Sequence, residues 1–236
     1  LSRDIALMLA LVAELLMRPT LAEDEFLKEQ QRLIALLQAA KGSNPRALMS
    51  SYGNAFLFGD HAYGNPPYGS EASLVGIGHA ELVEHYEALF GGDRLIVAVV
   101  GDFDLEAMRI RLGEVFGDWP AASADLPSYE AVPRESGRRI LLVDKPGSSQ
   151  TYFLIGNVSV PIDYPQRADL QIANTLVGGR FTSILMTALR VESGLTYDAR
   201  STVSRHSATG SVFINSFTQT ATAVQAIDLA IEKLCE

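Results

Sequence analysis

Histidine and cysteine side chains are the first candidates for metal binding or nucleophilic catalysis in this sequence. The four histidines are scattered, and neither His79 nor His206 has a second ligand-type residue placed to share an ion with it. His61 lies in a glycine-rich loop and is predicted to order that loop through hydrogen bonds. Cys235 has no histidine or asparagine placed to activate its thiol. These side chains predict neither a metal centre nor a cysteine nucleophile.

Two further features could support chemistry. The pair Gly178-Gly179 stands before a predicted helix, as in phosphate-binding loops, but no Lys-Ser/Thr follows it, so we interpret it as a flexible helix entry. Arg190 ends that helix and Tyr197 begins the next predicted strand. Taken alone, the two residues are consistent with an ion pair between Arg190 and Glu192 and an ordinary strand aromatic.

The composition excludes several classes of protein. The chain has 236 residues, a formal net charge of -9 and 20% charged residues. An acidic balance without clustered Lys or Arg argues against a nucleic-acid partner. No apolar run approaches the roughly 18 residues of a membrane span, and 47% hydrophobic residues suffice for a packed core. The composition is that of a soluble globular protein. A single cysteine cannot form an internal disulfide, so cysteine usage leaves the compartment open between periplasm and cytoplasm.

Helical periodicity dominates the first half of the chain. Helices are predicted over residues 4–17, 22–40, 45–57, 79–89 and 105–116, with an irregular loop from Phe58 to Gly69. The apolar run Leu95–Val100 is typical of a buried strand, and Gly101–Asp104 is predicted to cap the helix that follows. Residues 1–118 are therefore predicted to form the C-terminal portion of a first α+β half-domain.

Residues 117–138 lose this periodicity and are rich in proline and glycine, which places a linker at 119–138. The pattern restarts in residues 139–236, which are predicted to form most of a second half-domain. Its expected order is strand, strand, helix, helix, strand, strand, helix, with strands at 139–143, 151–158, 196–204 and 210–216 and helices at 164–176, 181–190 and from about 220. This order indicates a mainly antiparallel sheet with helices on one face.

The two ends of the sequence indicate how the chain relates to its parent protein. Leu1 is not a methionine and leads directly into an apolar helix, while the final helix lacks a glycine cap before it stops. We therefore expect the chain to be an internal piece of a longer protein.

Four segments together carry a resemblance to a known family. Asp60–Leu74, Glu81–Tyr86 and Leu95–Asp104 resemble the first structural half of the pitrilysin/insulinase-type (M16) zinc metallopeptidases. Gly178–Tyr197 is similar to the second-half signature, in which a short helix ends in Leu-Arg and a glycine precedes a strand-borne tyrosine. The resemblance implies two similar α+β half-domains, a peptide bound as an added strand, and a zinc-activated water that attacks the scissile carbonyl.

The chain departs from the family at the zinc site. The motif His-x-x-Glu-His works because two histidines one turn apart aim at a single ion, and it is absent here. The nearest string, Glu81 to His85, has glutamate where the first histidine belongs. The family's third ligand, a glutamate on another helix, is expected near Leu36, whose aliphatic side chain cannot bind zinc. Glu29 matches a supporting acidic position and is interpreted as a solvated helix residue. No metal ligand and no cofactor are therefore predicted for this chain.

The resemblance gives Arg190 and Tyr197 a role in substrate binding. In the family, a second-half arginine and tyrosine donate hydrogen bonds to the substrate backbone and to the oxyanion that develops on the scissile carbonyl. We therefore interpret the chain as a noncatalytic or half-site part of an M16-type peptidase, inactive alone. Its expected partner is a subunit that carries His-x-x-Glu-His, or a second copy of the chain, with zinc on that partner or on an upstream segment.

Two alternatives stay open. The chain could be a fragment of a single-chain active M16 peptidase with its zinc motif upstream of Leu1, although Leu36 argues against it. It could also be a noncatalytic scaffold homologue, although Arg190 and Tyr197 argue against that reading.

Overall fold

The protein is a mixed α+β structure, as the sequence predicts. The computed structural model describes residues 4–130, 132 and 137–236. The helices are α1 (Ile5–Met17), α2 (Glu23–Ser43), α3 (Met49–Phe58), α4 (Glu71–Gly76), α5 (His79–Leu89), α6 (Leu105–Phe116), α7 (Arg167–Val177), α8 (Ile184–Met186) and α9 (Ala223–Cys235). A π-helical segment, Thr187–Glu192, continues α8. The strands are β1 (Gln150–Ser159), β2 (Ala199–Arg205) and β3 (Gly210–Gln219).

The chain forms two compact units. The first comprises Leu1–Leu36 with Ser70–Pro127, and the second comprises Leu37–Gly69 with Ser128–Glu236. The second unit therefore combines the sheet with residues that lie far earlier in the chain. The division into residues 1–118, 119–138 and 139–236 stays a prediction. None of the described helices combines the length and the apolar character needed to cross a membrane.

The core of the first unit lies between α1 and α6. Leu9 and Ala13, one turn apart on α1, are buried with Met108 and Phe116 of α6. At the start of α6 the Asp104 carboxylate accepts a 2.8 Å hydrogen bond from the backbone N–H of Ala107, which confirms the predicted cap.

Leu95–Val100 is not a hydrogen-bonded strand, so that part of the prediction was wrong. Leu95 and Val99 pack against the core of the first unit, whereas Ile96 and Val100 are 93% and 98% exposed. This alternation is that of a strand, but a strand needs a neighbour that pairs its N–H and C=O groups. The described residues of the first unit are helical or irregular and contribute no such neighbour.

Hydrogen exchange tests whether residues 96–100 are unpaired. Backbone amides of residues 96–100 should exchange rapidly in the 236-residue chain, because no described backbone acceptor protects them. Amides of the central strand β3 should exchange orders of magnitude more slowly and serve as the internal reference. Protection of residues 96–100 equal to that of β3 would show that the segment is paired in solution.

The sheet of the second unit is antiparallel with the order β1-β3-β2. Ser216 of β3 faces Phe153 on one side and Ala199 on the other, which sets the register. Phe153, Ala199 and Ile214 are buried, and with the helical side chains they form one core. The helical members are Leu185, Met186, Leu189, Ala226 and Ala230. Strands β1 to β3 and helices α7 to α9 confirm the elements predicted for residues 151–236.

Helix α3 packs on β1 of the same sheet, where Gly53 allows the close approach, and Gly156 of β1 leaves room for the Phe213 ring of the neighbouring strand. A Cβ atom at Gly53 would lie 2.5 Å from a methyl carbon of Leu154. At Gly156 a Cβ atom would lie 2.2 Å from the Phe213 ring, well inside van der Waals contact. Helix α3 therefore packs against the sheet, as do α7, α8 and α9.

The prediction of a paired strand at Arg139–Val143 was also wrong. Its Ile140 and Leu142 side chains are exposed, and no described strand pairs with it. The first ladder position of β1 is Gln150, opposite Gln219, so the sheet begins only after the turn that follows Lys145. An apolar run predicts burial, but it does not supply the neighbouring strand.

Candidate functional site around Arg190 and Tyr197

Arg190 lies in the π-helical segment that follows α8. The Ser183 side chain caps α8 by accepting a hydrogen bond from the Met186 N–H at 3.3 Å. Beyond the π-helical segment, the Ser193 hydroxyl lies 2.8 Å from the carbonyl oxygen of Ala188. Gly194 follows with a φ of +63°, a left-handed conformation that glycine adopts without steric cost. The chain therefore reverses direction directly after Arg190.

This reversal brings Tyr197 back to Arg190. The Leu189 carbonyl accepts hydrogen bonds from the backbone N–H groups of Leu195 and Thr196, at 2.9 and 3.2 Å. The Thr218 hydroxyl of β3 donates to the Leu195 carbonyl at 2.6 Å. Tyr197 consequently lies two residues before β2 begins, in the connection rather than on the strand where the resemblance places it.

The backbone on both sides of Tyr197 is tied to the sheet. The Ser216 hydroxyl of β3 donates to the Asp198 carbonyl at 2.8 Å. The Asp198 N–H donates to the buried Thr196 hydroxyl oxygen at 3.2 Å. Tyr197 therefore projects from a backbone that is held at both neighbours, which is what a directional hydrogen-bond donor needs.

The Arg190 guanidinium contacts two aromatic rings. Its central carbon lies 4.3 Å from the centre of the Tyr197 ring and 4.7 Å from the centre of the Phe181 ring. Both distances are in the range of cation–π attraction. The rings are largely exposed, at 65% for Phe181 and 71% for Tyr197. The structure therefore brings Arg190 and Tyr197 together and adds Phe181, which sequence reasoning did not single out.

The ion pair considered for Arg190 is absent from the structure. In the part of the chain that is described, Arg190 has neither a salt bridge to Glu192 nor a hydrogen bond to another side chain. Ring contacts stabilise the positive charge without occupying an N–H group. The N–H groups of Arg190 are thus free to bind carbonyl or carboxylate oxygens.

A second charged group adjoins this site and was missed from the sequence. The half-buried Asp198 carboxylate accepts hydrogen bonds from Arg200 at 2.8 Å and from Arg46 at 3.3 Å. The Arg46 guanidinium also lies 5.4 Å from the centre of the Phe217 ring. Arg200 could have been found, because residues two apart point to the same face of a strand. Arg46 is too distant in sequence for any spacing rule.

The histidines do not form a metal site. The Nδ1 atom of His61 accepts a 3.1 Å hydrogen bond from the Tyr63 N–H, which confirms that His61 orders its own loop. The ring of His79 bonds the Leu21 carbonyl, and the ring of His206 lies 4.7 Å from that of Tyr63. Within residues 4–130, 132 and 137–236, no group of three His, Cys, Asp or Glu residues is placed to hold an ion.

The other positions suggested by the zinc motif do not converge on a common point: one caps a helix and two lie on the surface of α2. The Glu81 carboxylate accepts a hydrogen bond from the Gly78 N–H and so caps α5. Glu29 pairs with Arg32 on the surface of α2, and this hydrogen bond holds the pKa of the Glu29 carboxyl below its ordinary value. Leu36 is exposed on the same helix. A zinc ion does not fit these residues, since they provide no converging set of ligands.

Comparison with known proteins decides the family. Residues 76–236 match the family described as the peptidase M16 inactive domain. The chain belongs to this family. The match covers more than half of the sequence and includes the sheet, Arg190 and Tyr197, so the resemblance seen in the motifs is confirmed.

Relatives of this M16 chain include proteins named as uncharacterized zinc proteases and one named as a non-peptidase homologue. It is 27% identical over 203 residues to an uncharacterized zinc protease of Mycobacterium leprae, covering 85% of this chain and 45% of that protein. This chain is also 27% identical over 213 residues to a non-peptidase homologue of Helicobacter pylori, and the match covers 88% of this chain and 48% of that protein. The chain thus spans about half the length of the curated relatives it matches.

A solved structure has the same fold. The crystal structure of a peptidase M16 inactive domain from Pseudomonas fluorescens superposes with a TM-score of 0.87 at 24% identity. The match covers 97% of this chain and 55% of that one. At this identity the likeness supports the fold, and the function has to be argued from the site.

Proposed function

We propose that this chain is a noncatalytic region or subunit of an M16-type zinc metalloendopeptidase, and that Arg190 and Tyr197 bind the peptide substrate. The observation that carries the proposal is the Arg190 guanidinium, which contacts two exposed rings and has its N–H groups free. An arginine with this environment is a receptor for oxygen atoms that carry negative charge.

The proposed chemistry is oxyanion stabilisation. During peptide hydrolysis the scissile carbonyl oxygen gains negative charge, and donors already aimed at it stabilise the transition state more than the ground state. Arg190 supplies a charged donor, and the Tyr197 hydroxyl supplies a directional one. Zinc and the base that activates water are assigned to a subunit with the His-x-x-Glu-His motif, or to an upstream segment of a longer chain.

The scaffold function is the second candidate. It is favoured by the similarity to a protein named as a non-peptidase homologue. The free N–H groups of Arg190 favour substrate binding instead, because they remain available to carbonyl or carboxylate oxygens of a peptide.

Metal analysis and a mixing experiment separate the candidates. The dialysed chain alone should contain no stoichiometric zinc and hydrolyse no unstructured peptide, because its described residues provide no ligand set. Addition of an M16 subunit that carries His-x-x-Glu-His should produce hydrolysis that neither subunit shows alone.

Three results would contradict the proposal. One tightly bound zinc per chain, with hydrolysis by the chain alone, would identify an active peptidase. Hydrolysis that requires only a second copy of this chain would replace the heterologous partner by a self-dimer. A stable complex with the partner that gains no activity would favour the scaffold function.

A further inference from the structure

Phe181 is an exposed aromatic side chain whose position is fixed by its surroundings. It follows the glycine pair, where the Gly178 carbonyl accepts a 3.0 Å hydrogen bond from the Ser201 N–H of β2. A Cβ atom at position 178 would lie 2.4 Å from that nitrogen, so the close approach requires glycine. The glycine pair is thus a docking point against β2 rather than only a flexible helix entry.

The other side of Phe181 is equally constrained. The Ser183 N–H donates to the Arg180 carbonyl at 3.2 Å, and Ser183 is buried as the cap of α8. The turn that carries Phe181 is therefore anchored to β2 before the ring and to α8 after it. Despite this anchoring, the ring itself is 65% exposed and does not belong to the core.

The guanidinium of Arg190 needs a neighbouring group that holds it in one orientation. Its long side chain has many rotamers, and ordering it in one of them costs conformational entropy. A carboxylate partner would order the side chain but would also occupy its N–H groups and neutralise its charge. An aromatic ring orders the guanidinium and leaves both its charge and its donors available.

We propose that Phe181 is a positioning residue that holds the Arg190 guanidinium against Tyr197 and keeps its N–H groups aimed at the peptide. This inference rests on the proposed substrate-binding role of Arg190. Phe181 acts through Arg190 and contacts no reacting atom. Its contribution depends on the ring, so an aliphatic residue of similar size cannot replace it.

The first test is spectroscopic and independent of activity. In ¹H–¹⁵N spectra of the full chain, the Nε–H signal of Arg190, assigned by its loss in Arg190→Lys, should carry a ring-current shift. Phe181→Leu should move this signal towards the position of a free arginine, whereas Phe181→Tyr should retain the shift. Unchanged amide signals of β3 would confirm that both variants are folded.

The second test measures binding of a short unstructured peptide with acetylated and amidated ends, followed by fluorescence polarisation. Phe181→Leu should weaken binding roughly two- to fivefold, the range expected for loss of one exposed cation–π contact. Phe181→Tyr should restore it. In an Arg190→Ala background, Phe181→Leu should have no further effect. Ile184→Ala, a change at another exposed residue nearby, is the matched control.

The two levels of the proposal fail differently. If Arg190→Ala weakens binding but Phe181→Leu alters neither the Arg190 signal nor the affinity, the positioning role is wrong and the substrate-binding role stands. If Phe181→Leu moves the Arg190 signal but neither variant alters peptide binding, the proposed function is wrong and so is the inference built on it.

Discussion

Tyr197→Phe and Arg190→Ala are each expected to lower kcat by about 10²–10³, or roughly 2.7–4 kcal/mol, in a complex with a zinc-bearing partner subunit. The proposed role predicts a large effect, because each donor would act on the charge that develops on the scissile carbonyl oxygen in the transition state. Assembly and the zinc content of the complex should not change. Initial rates of peptide hydrolysis, with zinc measured on the same samples, provide the test.

The two substitutions complement each other. Tyr197→Phe keeps the ring that contacts Arg190 and removes only the hydroxyl, so it isolates the hydrogen bond. Arg190→Ala also removes a long apolar stem and therefore requires a stability measurement. Val191→Ala, an adjacent exposed position, is the control and should hydrolyse peptide at the parental rate. Complexes of both variants that retain full activity would assign Arg190 and Tyr197 a structural role and favour the scaffold function.

Leu185→Ala is expected to lower the free energy of unfolding of the second unit by about 2–5 kcal/mol. Leu185 is fully buried in the core between α8, α9 and the sheet, so its removal leaves a cavity as well as lost contacts. Exchange of the β3 amides under native conditions is the appropriate measurement. The single tryptophan, Trp119, lies in the first unit and reports on that unit instead.

The matched control for this prediction is the preceding residue. Ile184 is 46% exposed, and Ile184→Ala should lower the same free energy by a much smaller amount. Equal losses for the two substitutions would contradict the assignment of Leu185 to the core. A comparable loss in the first unit would show that the two units do not unfold independently.

Much of the secondary structure was predictable from the sequence. The periods of apolar residues located α1, α2, α5, α6, α7 and α9, and all three paired strands, because these patterns reflect which side of an element is buried. The segment around Gly178 and the sequence up to Tyr197 carried the family resemblance. Asp104 as a helix cap and His61 as a loop-ordering residue also followed from local chemistry, since their partners lie within three residues.

The wrong predictions concern long-range partners. Leu95–Val100 and Arg139–Val143 have the composition of buried strands, yet neither pairs with another described strand. The apolar residues of a segment indicate how favourable the burial of its side chains would be. It contains no information on whether a second backbone is present to satisfy the N–H and C=O groups.

The candidate site shows the same division. The sequence by itself determined that Arg190 and Tyr197 are present, with Gly194 between them, and the local reversal of the chain depends on those residues. Only the tertiary structure decided that Phe181 joins Arg190 and that Arg46 joins Asp198. These contacts form because α8, the sheet and the residues before Gly69 pack into one unit. Their energies depend on distances between elements, which no pattern of neighbouring residues encodes.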